Sequence, residues 1–297
     1  MRALGRWVAV CVVVAGLASC RAPESASPVE AGTSTGTVMV AGVARTYRLY
    51  VPAGLAPGPA PLVVMLHGGF GSAKQAQESY GWDAEASRGG FLVLYPDGDG
   101  RAWSVGGGCC GESGRTGVDD LAVIEAMLEQ VGRRVPVDAR RVFATGMSNG
   151  AMMAYRLACD TDRFAAIAPV AGTLMGDCPD PAPTSVLHIH GLADENVPYD
   201  GSPGSGFAAI DGAPVADVID RFGQVAGCDP PSRTTVGPVT RSTATCPDGR
   251  AVELITIAGG GHAWPGASGR RPSSDQPAGV DATATIWQFF ASRARPA

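Results

Sequence analysis

The chain has 297 residues, 45% of them hydrophobic and 17% charged, with a formal net charge of −5 at pH 7. That length can bury a substantial core, and the charge excludes the basic stripe with which a nucleic-acid binder neutralises phosphates. Its single lysine, Lys74, and the lack of any Arg or Lys run longer than two point the same way, and no internal repeat is visible.

At the N-terminus, Arg2 and Arg6 accompany an apolar stretch over residues 7–17 that is too short to span a bilayer. Residues 1–19 therefore read as a signal peptide. Leu17-Ala18-Ser19-Cys20 resembles the bacterial lipobox, which implies that Cys20 is lipidated and becomes the new N-terminus. An ordinary cleavable signal is the alternative, and both readings export the protein. It would be a cell-envelope lipoprotein or extracellular, touching the membrane only through an anchor at Cys20. Residues 20–36, rich in Ala, Pro, Ser, Thr and Gly, are expected to be a flexible tether, and residues 37–297 one folded domain. The chain is read as a monomer.

Residues 37–40 and 45–51 alternate like an edge hairpin around Ala41-Gly42. PLVVMLH (residues 61–67) and FLVLY (91–95) are continuous apolar runs, the mark of strands buried on both faces. Residues 119–131 carry apolar positions at helical spacing, with Asp119 or Asp120 as the cap rather than a catalytic acid. Strands follow at 141–145, 164–170, 186–190 and 252–257, and helices at 150–158, 215–225 and 283–292. Strands alternating with helices predict an α/β fold with a mostly parallel central sheet and helices on both faces.

Once Cys11 leaves with the signal and Cys20 is set aside, six cysteines remain in an oxidising compartment. Cys228 and Cys246 flank a short Pro/Gly/Thr-rich excursion and are expected to pair. Cys109 and Cys110 are then expected to reach Cys159 and Cys178, a vicinal bridge being the alternative. No CxxC occurs, and no metal site is expected.

Gly146-Met147-Ser148-Asn149-Gly150 matches the GxSxG nucleophile elbow, as does Gly32-Thr33-Ser34-Thr35-Gly36. Context separates them: Ser148 lies between a predicted strand and a predicted helix, whereas Ser34 lies in the expected tether. A serine hydroxyl needs a base to remove its proton. Of the four histidines, His262 lies in GGGHAWPG, directly after the last predicted strand. His188 and His190 lie within a strand and suit packing or hydrogen bonding, an H-x-H metal pair being the weaker reading. Asp194, in HGLADENVPY, lies between serine and base in the order of the α/β-hydrolases, with Glu195 and Asp200 as rivals. Its task is to accept the histidine Nδ1–H. His67-Gly68-Gly69-Phe70-Gly71 follows the strand PLVVML and supplies an oxyanion loop. The Gly69 N–H, with Phe70 in reserve, is expected to act with the Asn149 N–H, while His67 braces the loop. Trp103, Tyr199 and Trp264 are candidates to wall the substrate site, packing of their loops being the alternative.

LHGGFG, YPDG, WSVGGGCCG, VDD, GMSNGAMMAYRLAC, FAAIAPVAG, HGLADENVPY and GGGHAWPG together resemble the exported poly(3-hydroxybutyrate) depolymerase-like esterases, a group related to feruloyl and acetylxylan esterases. The resemblance spans roughly residues 37–292. It implies an α/β-hydrolase fold, no cofactor, an ester substrate and a triad of Ser148, Asp194 and His262. The Cys109-Cys110 and Cys228/Cys246 pairs also have counterparts in the group. Where that group often has a cysteine after HG, this chain has Gly69. Five residues follow Ser292, so no domain for gripping solid polymer is expected. The reading is an exported serine esterase of the hydroxyalkanoate depolymerase type, with a feruloyl or acetylxylan esterase as the alternative. A non-catalytic surface lipoprotein is the alternative of another class, although a binder has no need of all three triad residues at strand ends.

Overall fold

The computed structural model describes residues 30–107, 109–206, 210–267 and 279–296. The signal segment and Cys20 lie outside the described residues. In chain order the strands are β1 (Gly32–Val40), β2 (Val43–Val51), β3 (Ala60–Leu66), β4 (Leu92–Pro96), β5 (Val137–Met147), β6 (Ala166–Val170), β7 (Ser185–Gly191), β8 (Ser232–Val236), β9 (Val239–Thr245) and β10 (Ala251–Ile257). The helices are α1 (Ala73–Ser79), α2 (Trp82–Gly89), α3 (Gly111–Thr116), α4 (Asp120–Arg134), α5 (Asn149–Asp160), α6 (Val215–Val225) and α7 (Ala282–Ala291).

The strands form one sheet in the order β1-β2-β4-β3-β5-β6-β7-β10-β9-β8. The centre, from β4 to β10, is parallel, and an antiparallel hairpin closes each edge. β3 shows why the centre needs no polar face. All seven of its residues are buried, with Leu62, Val64 and Leu66 in one core and Val63 and Met65 in the other. The first core is roofed by α4, α5 and α6, the second by α1, α2 and α7.

Three expectations change. β1 begins at Gly32, inside the stretch expected as tether. Residues 32–40 pair with β2 from Gly32↔Val51 to Val40↔Val43, and the alternating Thr side chains suit an edge strand half in solvent. Ser34 thus sits in a strand, accepting a hydrogen bond from Arg134 Nη2 at 3.1 Å. Second, the Cys228–Cys246 excursion is the hairpin β8–β9, turning at Gly237-Pro238 (Gly237 φ +56°). Third, the expected bridges from Cys109 and Cys110 to Cys159 and Cys178 do not form. Cys159 pairs with Cys178, their Cα atoms 5.4 Å apart, and Cys109 pairs with Cys110. Cys110 lines the cleft with Ser148 at the N-terminus of α5. Cys159, in the last turn of α5, already lies within the roughly 7 Å Cα reach of Cys178 that a disulfide requires, which leaves Cys109 and Cys110 to each other.

Candidate active site

The site gathers at the C-terminal edge of the sheet, where adjacent strands turn into loops. β3 and β5 are neighbours, so the oxyanion loop and the GxSxG turn abut; β7 and β10 are neighbours, so the acid turn abuts the histidine loop.

Ser148 links β5 to α5 with φ +55° and ψ −119°, a conformation disfavoured for any L side chain. Its N–H donates to Val170 O at 2.9 Å, and its carbonyl accepts from Met152 N at 3.0 Å. The flanking glycines are a steric requirement. A Cβ on Gly150 would lie 2.3 Å from Leu66 O, and one on Gly146 would lie 2.5 Å from Gly150 O. β3, β5 and α5 come this close only without side chains there.

Asn149 is the first residue of α5, so its backbone N–H has no carbonyl partner within the helix. Its side chain is spent elsewhere: Oδ1 accepts from Trp103 N at 2.7 Å, and Nδ2 donates to Trp103 O at 3.0 Å. Trp103 Nε1 in turn donates to His67 O at 2.8 Å. His67 braces the loop from within, its Nδ1–H donating to Gly68 O at 2.8 Å and its Nε2 accepting from Gly98 N at 2.9 Å. Burial lowers the His67 pKa, in keeping with this neutral tautomer. The Phe70 N–H, held in reserve as an oxyanion donor, instead donates to Arg101 O at 2.8 Å. Gly69 stands opposite Asn149 across the cleft: a Cβ on it would meet Asn149 Cβ at 4.0 Å.

Asp194 is buried, and each carboxylate oxygen has its own task. Oδ1 accepts from Asn196 N and Val197 N, both at 2.9 Å, while Oδ2 accepts from His262 Nδ1 at 2.7 Å. Its rivals Glu195 and Asp200 are exposed. Leu192 N donates to Ile257 O at 2.9 Å and Ala193 N to Gly260 O at 2.8 Å, stitching the acid turn to the histidine loop. Gly191 permits this approach, since a Cβ there would lie 2.2 Å from Gly260 O.

Ser148 and His262 line one cleft of about 640 Å³ with Gly68, Gly69, Phe70, Gly71, Gln75, Tyr80, Cys110, Gly111, Met147, Asn149, Met152, Asn196 and Ile210. None of the three aromatics expected to wall the site lines this cleft. Trp103 is wholly buried beneath the oxyanion loop. Trp264 is buried behind Tyr80, stacked on its ring at 4.7 Å and bonded through Nε1 to Thr283 Oγ1 at 3.0 Å. Tyr199 lines a separate groove beside α6 and packs edge-on against His190. Apolar loop aromatics are pulled under when a backbone carbonyl or hydroxyl waits there for the indole N–H. The wall is made instead by Phe70, Tyr80, Met147, Met152 and Ile210. Phe70 lies within the oxyanion motif and Tyr80 shortly after it; Ile210 has no signal of its own.

Two further expectations resolve here. Asp119 caps α4 by accepting from Ala122 N at 2.9 Å, whereas Asp120 is buried against Arg45 at 2.6 Å and accepts from Ser104 N at 2.8 Å. Asp120 thereby ties the Trp103 loop to the body of the domain. The nitrogens of His188 and His190 are taken up by hydrogen bonds, as expected for histidines within a strand.

The family model described as Esterase PHB depolymerase matches residues 45–197 of this chain. The chain belongs to this family. It is 34% identical over 271 residues to NocK of Nocardia uniformis subsp. tsuyamanensis, which carries the name of an esterase; the match covers 82% of this chain and 78% of that one. It is 30% identical over 221 residues to feruloyl esterase B of Piromyces equi, covering 69% of this chain but 40% of that protein. Among solved structures, the acetyl xylan esterase from Aspergillus awamori superposes with a TM-score of 0.61 at 18% identity, over 87% of this chain and 99% of that one. That likeness establishes the fold, an α/β-hydrolase. The protein is a carboxylic ester hydrolase.

Proposed function

We propose that this family member hydrolyses soluble short-acyl esters, including hydroxyalkanoate oligomers, through an acyl-enzyme on Ser148. The observation that carries the reading is the His262 Nδ1–Asp194 Oδ2 hydrogen bond of 2.7 Å, beside a serine held on a strained turn in the same cleft. His262 Nε2 takes the Ser148 proton as Oγ attacks the ester carbonyl, and Asp194 steadies the imidazolium. The developing oxyanion is held by the N–H groups of Gly69 and Asn149, the latter at the positive end of α5. His262 returns its proton to the leaving alkoxide. A water, deprotonated by the same imidazole, then releases the acid and restores Ser148.

The substrate class rests on the wall. Phe70, Tyr80, Met147, Met152 and Ile210 give an open, apolar-lined cleft that suits a short or single-ring acyl group. A second reading, a feruloyl or acetylxylan esterase, is favoured by the names of the Piromyces and Aspergillus proteins and by the aromatic pair Phe70 and Tyr80. Export, with residues 1–19 as signal and Cys20 as lipid anchor, is part of the proposal and is supported by three disulfides. The domain so delivered acts as a monomer.

The test is a panel of 4-nitrophenyl esters, methyl ferulate, acetylated xylan and hydroxybutyrate oligomers, with fluorophosphonate labelling of Ser148. Highest kcat/KM on the oligomers or on 4-nitrophenyl butyrate supports the main reading. Preference for ferulate or xylan acetate selects the second, and failure of Ser148 to label refutes both.

A further inference from the structure

One buried polar file lies behind the acid turn, and no step of ester cleavage uses it. Tyr155 on α5, seven residues past Ser148, places its hydroxyl 2.7 Å from His188 Nδ1. His188 Nε2 lies 2.9 Å from His190 Nδ1, and His190 Nε2 lies 2.8 Å from Val197 O. All three side chains are buried, the two imidazoles stack with centroids 5.1 Å apart, and Tyr155 stacks on His188 at 5.8 Å.

The direction of every proton in the file is set by its last member. Val197 O can only accept, so His190 Nε2 carries hydrogen. Burial disfavours the cation and lowers the pKa of both histidines. His190 Nδ1 is then a lone pair, His188 Nε2–H donates to it, and His188 Nδ1 accepts from the Tyr155 hydroxyl. A single tautomer satisfies every polar atom of the three side chains. The file ends on a residue held on both sides: the Val197 carbonyl is clasped by His190, while the Val197 N–H donates to Asp194 Oδ1 at 2.9 Å. His190 Nε2 also sits 3.7 Å from Asp194 Oδ2, the oxygen that holds His262.

We infer that Tyr155, His188 and His190 are positioning residues that fix the acid turn against the nucleophile helix and so hold Asp194 on His262. The inference rests on the triad reading above. Local bonds within residues 194–197 hold the turn together but do not set its distance from α5. The file supplies that span, and its planar imidazoles allow little slack. A displacement of about 1 Å at a catalytic group can cost about 100-fold in rate.

The test uses the full chain with disulfides intact. His190→Leu removes both bonds of the last link, His190→Gln keeps an acceptor and a donor, and Tyr155→Phe deletes one oxygen far from the cleft. His190→Leu is expected to lose about 10- to 100-fold in kcat on 4-nitrophenyl butyrate with KM within twofold, and His190→Gln to recover at least tenfold of a 100-fold loss. Tyr155→Phe is expected to lose about 3- to 10-fold in kcat. The downfield proton resonance of the His262–Asp194 hydrogen bond should shift in the impaired variants. A merely stabilising role would lower the unfolding midpoint but leave kcat and that resonance unmoved. Wild-type kcat in folded His190→Leu, or a rise in KM alone, overturns the inference; if His190→Leu does not fold, wild-type kcat in Tyr155→Phe overturns it. Ser148→Ala is run alongside, and activity surviving there refutes the triad itself, a separate failure from that of the file.

Discussion

Replacing Asp194 by Asn removes one charge and almost no volume, yet the structure makes the change severe. Oδ1 of Asp194 accepts two backbone N–H groups, from Asn196 and Val197, each at 2.9 Å. The amide oxygen of an asparagine must take that place. Turning the amide around would lose two buried hydrogen bonds, at about 1–3 kcal/mol each, leaving at most a few per cent of molecules in the flipped state. In the favoured orientation the amide N–H₂ points at His262 Nδ1, which must then present its lone pair. The imidazole proton moves to Nε2, and the base can no longer accept a proton from Ser148. We expect kcat to fall by about 10³ to 10⁴, equivalent to about 4–5.5 kcal/mol of transition-state stabilisation. KM should stay within a few-fold, and the urea midpoint should drop little, because the backbone bonds survive. Initial rates on 4-nitrophenyl butyrate, corrected for spontaneous hydrolysis, measure this directly. A folded Asp194→Asn enzyme within tenfold of wild-type kcat would refute the tautomer argument and the assignment of Asp194 with it.

Other outcomes are open to equally direct measurement. Ser148→Ala should lower kcat at least about 10³-fold, whereas Ser34→Ala, on the edge strand β1, should leave it unchanged in the same assay. Asn149→Ala keeps the backbone N–H but strips both bonds from Trp103, whose peptide is buried. It should lower unfolding free energy by about 2–4 kcal/mol in urea titrations. Burial lowers the pKa of His67, His188 and His190, so below about pH 6.5 the unfolded chain binds protons that the folded one refuses. Stability should therefore fall as pH drops from about 6.5 to 5, by up to about 1.4 kcal/mol per pH unit for each histidine; urea midpoints that stay flat across that window would contradict it. Asp83 and Asp120, whose pKa values burial raises, act in the opposite sense: their folded-state proton uptake blunts the fall at the acid end. Among 4-nitrophenyl acetate, butyrate, octanoate and palmitate, kcat/KM should peak at acetate or butyrate, and a maximum at palmitate would mean that a deep acyl groove has been missed.

Ser148, Asp194, His262 and the oxyanion loop were legible in the sequence because each comes directly after a strand whose apolar run is a local signal. Strand, tight turn and glycine spacing are written within a dozen residues, and the parallel sheet then brings the ends of β3, β5, β7 and β10 to one edge. The hairpin β8–β9 lacked such a signal: the side chains of β8 all lie in solvent, so no apolar alternation marks it as a strand. Composition and spacing also left undecided which side chain lies in front of which. Trp103, Tyr199 and Trp264 occupy motif loops as plausibly as Phe70 and Tyr80 do. Only the folded chain sets Asn149 and His67 O where they draw Trp103 under the loop, and Thr283 where it holds Trp264 behind Tyr80. The cysteines divide the same way: their even number is a property of the sequence, but their pairing depends on the fold, which brings Cys159 at the end of α5 within 5.4 Å of Cys178, Cα to Cα. Local propensity determines an element and the turn that ends it. Burial and hydrogen-bond partners come from segments tens to hundreds of residues away, so the lining of the cleft and the file behind Asp194 exist only once those segments meet.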